Sequence, residues 1–255
     1  MGAAVCRALL GAGHRVFGLD ISEGDIVSDR MTWLKADVRK TEDIEKAYRA
    51  VSEMSGGLGG IIDLAGIYDL DSLIEMDEED FIRDFDINLF GVFRVNRAFA
   101  PLLGRDGKIV IVSSELAPLD PLPFTGIYAV TKAALDKYAA ALRMELQLLG
   151  IKVVTVRPGA VGTDMLPESM KKLSDFCGGT AHYTLGAGKF RQIAEKVEGR
   201  SIPAERIAAL IVKILSAKNP KPVYSINRNP LLLMLDALPA RFRLRIIRMI
   251  LSQPG

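Results

Sequence analysis

Short apolar, β-branched runs alternate with amphipathic helical patterns along the chain, and this alternation restricts the fold more than any other feature. Residues 16–20, 32–36, GGIIDLAG, GKIVIVSS, IKVVTVRP and KPVYSI read as strands. Residues 41–54, 77–103, 127–149 and 203–216 carry helical spacing between them. A strand that is apolar throughout is buried on both faces, and parallel strands need a long crossover, usually a helix. The expected architecture is therefore α/β, a doubly wound parallel sheet in a single domain. A length of 255 residues with 49% hydrophobic residues suffices for one large core. The acidic run MDEEDF, residues 76–81, reads as a helix start that complements the helix dipole.

Composition excludes several classes of function. The net charge of +2 comes with no long basic block, so nucleic acid is not an expected partner. Cys6 and Cys177 match no metal or redox spacing and are expected unpaired, in a reducing cytoplasm. His14 and His182 have no ligand partners at metal spacing, so no metal is expected; His14 reads as surface, and His182 as surface or the substrate mouth. No run of about 18 apolar residues offers a membrane span.

The chemistry is concentrated around Ser114, Tyr128 and Lys132. Residues four apart share a helix face, so Tyr128 and Lys132 are expected side by side. A neighbouring cation favours the phenolate, which predicts a Tyr128 pKa below its usual value of about 10. Ser114 then serves to hydrogen-bond an oxygen on which charge develops. The set suits interconversion of an alcohol and a carbonyl, with a hydride carrier supplying the other half of the reaction.

Taken together, these residues resemble the short-chain dehydrogenase/reductase family, over almost the whole chain. Tyr128-Ala-Val-Thr-Lys132 matches the YxxxK motif, with Ser114 as its serine and Ser113 as a rival. Asn88, in INLFGVF, matches the asparagine of the proton relay. The run from Pro158 and Gly159 through Val161 to Thr163 matches the PGxxxT segment that meets the nicotinamide. Thr163 also suits a helix N-cap. Asp37 and Val38 sit where the family contacts adenine. Asp63-Leu-Ala65-Gly66 stands in place of NNAG, keeping Ala65 and Gly66 but neither asparagine. For Asp63 a structural role competes with a proton-coupled one. The resemblance implies a Rossmann-like sheet, a nicotinamide cofactor, and homodimers or homotetramers. A narrower likeness to the retinol and hydroxysteroid dehydrogenase branch implies a hydrophobic alcohol or carbonyl substrate.

Asp20 ends the first strand of the chain, at the place where an acid accepts from the adenosine ribose and repels a 2′-phosphate. This predicts NAD rather than NADP. Arg15 precedes the strand and is poorly placed for a phosphate. The opening MGAAVCRALL reads as the helix that follows a glycine-rich turn, of which only Gly2 is present. The family's first strand is missing from the chain, so a fragment or a start assigned too late is expected. A non-catalytic dinucleotide-sensing or scaffold protein is the alternative function.

Residues 1–228 are expected to form the nucleotide-binding domain, with 164–199, rich in glycine and polar residues, as a mobile substrate lid. Residues 229–255 form a basic tail. Arg241, Arg245 and Arg248 share one helix face, Arg243 falls away from them, and apolar residues cover much of the rest. Packing on the domain or on a second subunit competes here with peripheral membrane contact.

Overall fold

The computed structural model describes residues 1–163 and 165–252. Its strands are β1 (Val16–Asp20), β2 (Met31–Lys35), β3 (Leu58–Asp63), β4 (Leu103–Val112), β5 (Lys152–Pro158), β6 (Val161–Gly162), β7 (Ile202–Pro203) and β8 (Val223–Ile226). All pairings among the described residues are parallel. β3-β4-β5-β8 form one sheet, β1-β2 a second and β6-β7 a small third. Among the described residues β1 and β3 do not hydrogen-bond to each other. Val16 of β1 and Ile62 of β3 both belong to the apolar cluster that holds Val110 and Val154.

Helices cover both faces, as the alternation requires. On one side α1 (Gly2–Gly11) packs on the sheet through Val5 and Leu9. On the other lie α2 (Thr41–Met54), α3 (Glu78–Phe85) and α4 (Val92–Phe99), followed by the 21-residue α5 (Gly126–Leu146). The acidic first turn of α3 holds Glu78, Glu79 and Asp80, as its composition implied. Residues 77–103 read as one helix but are not one. Asp86–Gly91 winds as a π-helix between α3 and α4, and a 3-10 turn ends the segment. Gly91 ends the π-helix, where a Cβ would lie 2.7 Å from Cγ2 of Val38, so the wider turn comes with close backbone approach.

The expected glycine-rich lid is a helix pair. α6 (Met165–Gly179) and α7 (Thr184–Glu198) pack together through Leu173, Ala187, Phe190 and Ala194. Apolar residues at i, i+3 and i+7 on α7 outweigh the low helix propensity of Gly186 and Gly188. Position 164 lies outside the described residues. α8 (Ala204–Ser216) returns beside α1, burying Ile207, Ala208, Ile211 and Ile214. The tail forms α9 (Pro230–Asp236) and α10 (Ala240–Leu251); positions 253–255 lie outside the described residues. No helix among the described residues is long and apolar enough to cross a membrane. Cys6 is buried in α1 and Cys177 lies on α6, both as free thiols.

Candidate active site

The carboxyl ends of parallel strands converge on one edge of an α/β sheet, where ligands bind. Ser113 and Ser114 follow β4, Pro158 ends β5 and Gly159 follows it. Ala65 and Gly66 follow β3 two residues after its end. α5 then brings Tyr128 and Lys132 back to the same edge.

The two serines separate clearly. Ser113 Oγ donates to the backbone carbonyl of Lys132 at 3.4 Å, so it serves α5 itself. Ser114 is buried, and its hydroxyl accepts from the Leu116 amide at 3.1 Å. It lies close enough to Tyr128 to favour the phenolate.

The expected lowering of the Tyr128 pKa is not what this site produces. Burial dominates and pushes the phenol up to about 12, against the smaller pull from Ser114. Lys132 does lie beside it, with Nζ 5.6 Å from the ring centroid. Yet the ammonium is itself buried, which lowers its pKa to about 8. Its nearest acceptor is the Val112 carbonyl at 3.5 Å. Spacing places the two side chains on one face but says nothing about water, and loss of water outweighs their proximity. Two further acids oppose the phenolate, Glu198 on α7 and Glu115 beside Ser114. Glu198 is pushed up to about 7, first by burial and then by Glu115.

Asn88 lies at the centre of the π-helix and is fully buried. Its Oδ1 accepts from the Ile67 amide at 2.8 Å, and its Nδ2 donates to the Ile67 carbonyl at 3.0 Å and to Thr131 Oγ1 at 3.1 Å. It thus clamps the segment that carries Gly66 to the helix that carries Lys132. A Cβ on Gly66 would come within 3.0 Å of Asn88 Oδ1 and 3.3 Å of Lys132 Nζ, so glycine lets both side chains pack close to the backbone. At Gly159 a Cβ would lie 2.0 Å from the Asn227 carbonyl and 2.8 Å from Glu115 Oε1.

The remaining predicted cofactor contacts are spread along this edge. Asp20 is exposed at the end of β1, with Oδ1 accepting from the Ser22 amide and hydroxyl at 3.1 Å each. Arg15 turns away, donating to the Met54 carbonyl at 2.8 Å and lying over Phe17. The Asp37 carboxylate is held by Arg39 at 2.6 Å, which keeps its pKa below the usual range. The Val38 carbonyl accepts from Arg94 at 3.2 Å. Val161 is buried in β6, and Thr163 stands just before α6, where its carbonyl accepts from the Leu166 amide at 3.1 Å. Gly2 opens α1, and a Cβ there would meet nothing within 4 Å.

Sequence reasoning missed a buried aromatic cluster that reaches Tyr128 through Tyr68. The Tyr68 ring meets the Tyr128 ring edge-on at 4.5 Å. Phe124, at the unusual φ of 64°, packs against Phe176, Tyr183 and Phe190 at 5.0, 5.2 and 5.5 Å. These residues come from separate loops and from α6 and α7, and no sequence period joins them. The helix pair is also tied down by charge. Lys172 on α6 meets Asp69 at 2.5 Å, and Arg83 on α3 meets the same carboxylate at 2.6 Å. Glu75 receives the amides of Ala181 and His182 and the Thr180 hydroxyl. His182 itself is exposed at the turn between α6 and α7.

Both the sequence and the fold have known relatives. The short chain dehydrogenase family model matches residues 1–174. Estradiol 17-beta-dehydrogenase 2 of Mus musculus is 37% identical over 142 residues, covering 54% of this chain and 37% of that protein. The 3-ketodihydrosphingosine reductase of Bacteroides thetaiotaomicron is 27% identical over 221 residues, covering 86% and 81%. The matches to the first two curated relatives span 37% and 62% of those proteins' lengths. A solved short chain dehydrogenase of Burkholderia cenocepacia, in complex with NADP, superposes with a TM-score of 0.69 at 25% identity, covering 88% of this chain and 91% of that one. With its parallel sheet, its serine, tyrosine and lysine at one sheet edge and a family match over residues 1–174, the chain belongs to the short-chain dehydrogenase family.

Proposed function

We propose that this protein is an oxidoreductase that interconverts an alcohol and a carbonyl on a hydrophobic substrate. The observation that carries this reading is the meeting of Ser114, Tyr128 and Lys132 at one water-poor sheet edge, with Tyr68 against Tyr128. The site suits a nicotinamide dinucleotide by its place, since the loops after β3, β4 and β5 meet at the carboxyl ends of parallel strands, where open α/β sheets bind ligands. Gly2, Asp20, Asp37, Val38, Ala65, Gly66, Tyr128, Lys132, Pro158, Gly159, Val161 and Thr163 would hold the cofactor, which supplies or accepts hydride.

Ser114 hydrogen-bonds the substrate oxygen and orients it toward Tyr128. In reduction, Tyr128 donates its proton to that oxygen as the carbonyl carbon gains hydride. In oxidation, the phenolate takes the hydroxyl proton as the carbon gives hydride up. A phenol at about 12 holds its proton at neutral pH, which favours the acid role and hence reduction. Oxidation should rise with pH, because it needs the phenolate. Lys132 supplies positive charge near the phenol, and Asn88 fixes the segment and helix that flank both.

NAD is the favoured nucleotide. The exposed Asp20 carboxylate ends β1, and Arg15 is engaged elsewhere. The NADP complex of the Burkholderia cenocepacia protein points the other way, so both nucleotides belong in the test. The names of the estradiol and ketodihydrosphingosine enzymes among the relatives support a hydrophobic substrate.

The test is turnover of hydrophobic ketones and alcohols with each nucleotide, in the wild type and in Tyr128→Phe. Loss of about 10²–10⁴-fold in kcat, with melting and nucleotide binding preserved, is expected. Undiminished turnover by Tyr128→Phe would overturn the mechanism. Failure of the wild type to bind either nucleotide would favour the scaffold alternative.

A further inference from the structure

We infer that α9 and α10 form a docking surface for an anionic lipid bilayer. The inference does not depend on the catalytic reading, because it is read out by binding alone.

Charge is unevenly divided along the chain. Residues 229–255 contain four arginines and one aspartate, a net +3. The other 228 residues contain 29 basic and 30 acidic residues, a net −1. The basic character therefore resides in the tail.

The structure shows how that tail is oriented. Arg243, which breaks the arginine pattern in the sequence, is the anchor. Its guanidinium pairs with Asp120 and donates to the Asp236 carbonyl at 2.9 Å. The Asp120 amide donates in turn to Asp236 Oδ1 at 3.0 Å. Asp236, the tail's one acid, is thereby used internally. Ile246 and Ile247, three and four residues beyond Arg243, share its half-buried side. Leu251 reaches the cluster that contains Phe124 and Phe190. Fixing this side turns Arg241, Arg245 and Arg248, at i, i+4 and i+7, outward together, and all three are exposed.

Apolar side chains flank this arginine stripe in the open. Phe242 is 59% exposed, Leu244 65% and Met249 57%; on α9, Leu231 is 62% and Met234 69% exposed. Neither helix buries a residue fully. Cations interleaved with exposed phenylalanine, leucine and methionine match the two layers of a bilayer interface, phosphate outside and acyl chain beneath. A second copy of the chain fits the surface poorly. A two-fold interface would set one arginine stripe against another, with no tail carboxylate left to neutralise it.

The test uses the intact chain and sedimentation with vesicles of phosphatidylcholine alone or mixed with phosphatidylglycerol. Binding to the mixed vesicles, weakened by salt, is expected. Arg241→Glu/Arg245→Glu/Arg248→Glu should weaken binding by at least on the order of 100-fold, since three attractive charges are lost. Phe242→Ser/Met249→Ser should weaken it while leaving the salt dependence in place. Circular dichroism and melting confirm that each variant is folded; a variant that fails to fold is replaced by the milder Arg→Gln set, with the same expectation. Equal sedimentation with both vesicle types, none with either, or unchanged binding by the charge variant would overturn the inference. So would a change of oligomeric state in the charge variant without lipid binding by the wild type, which would assign the surface to self-association.

Discussion

Replacing Asp63 by asparagine should stabilise this protein, by an amount set by pH. Asp63 ends β3, is buried, and receives one hydrogen bond, from Asn96 Nδ2 at 3.0 Å. Burial raises its pKa from the usual 3.8 to about 7, against the smaller effect of that bond. Asn96 Oδ1 is buried without a partner. A protonated Asp63 carries the donor that this oxygen lacks; an ionised one does not. The folded chain therefore binds more protons than the unfolded chain between pH 3.8 and 7, so stability falls as pH rises through that window. At about 1.4 kcal/mol per pH unit, the ionised side chain costs about 4 kcal/mol above pH 7. An asparagine side chain in its place does not titrate and carries an amide donor at every pH. The Asp63→Asn variant should gain about 4 kcal/mol over the wild type at pH 8, about 2 near pH 5, and little below pH 4. Urea unfolding of both proteins at pH 5 and pH 8 measures the difference. A gain independent of pH, or a loss at pH 8, would refute the reasoning by showing that Asp63 is not a strained carboxylate.

Lys132→Met should abolish turnover yet stabilise the chain by about 3 kcal/mol at pH 7, since burial lowers the ammonium from 10.5 to about 8. A lowered lysine pKa means that the folded state releases its proton first, so wild-type stability recovers as pH rises from 8 toward 10.5. The advantage of the variant should shrink over that range in the same urea assay; an unstable variant at pH 7 would contradict this. Gly159→Ala should destabilise by about 1–3 kcal/mol through overpacking, because the new methyl lands on the Asn227 carbonyl. Thermal melting reads the loss, and an unchanged midpoint would mean that the loop yields freely. Lys172→Ala removes one of two cations from the buried Asp69 and should loosen α6, seen as faster amide exchange in residues 165–179 and no change in β4.

The sheet and its order of elements were legible because parallel strands buried on both faces have no room for polar side chains. The buried stretches at 109–112 in β4 and 153–156 in β5 are apolar but for Thr155, and their length locates them. The reactive group was legible for a similar local reason, since a four-residue spacing puts Tyr128 and Lys132 on one face whatever surrounds them. The helix pair at 165–198 was not legible as helix, because its glycines mask a spacing that only packing against Phe124 and Leu70 rewards. The break at Asn88 was equally hidden, since residues 77–103 carry continuous helical periodicity.

Sequence alone determined which side chains are present, which of them lie on a common face, and where the chain turns from strand to helix, because these depend on bonds a few residues apart. Tertiary structure decided how much water reaches each group. It raised Tyr128 where a neighbouring cation alone would have lowered it, turned Ser113 away from Tyr128, brought Tyr68 against Tyr128, and used Arg243 as a tether while its neighbours face outward. Desolvation and cross-element contact are sums over atoms distant in the chain, so no local pattern encodes them.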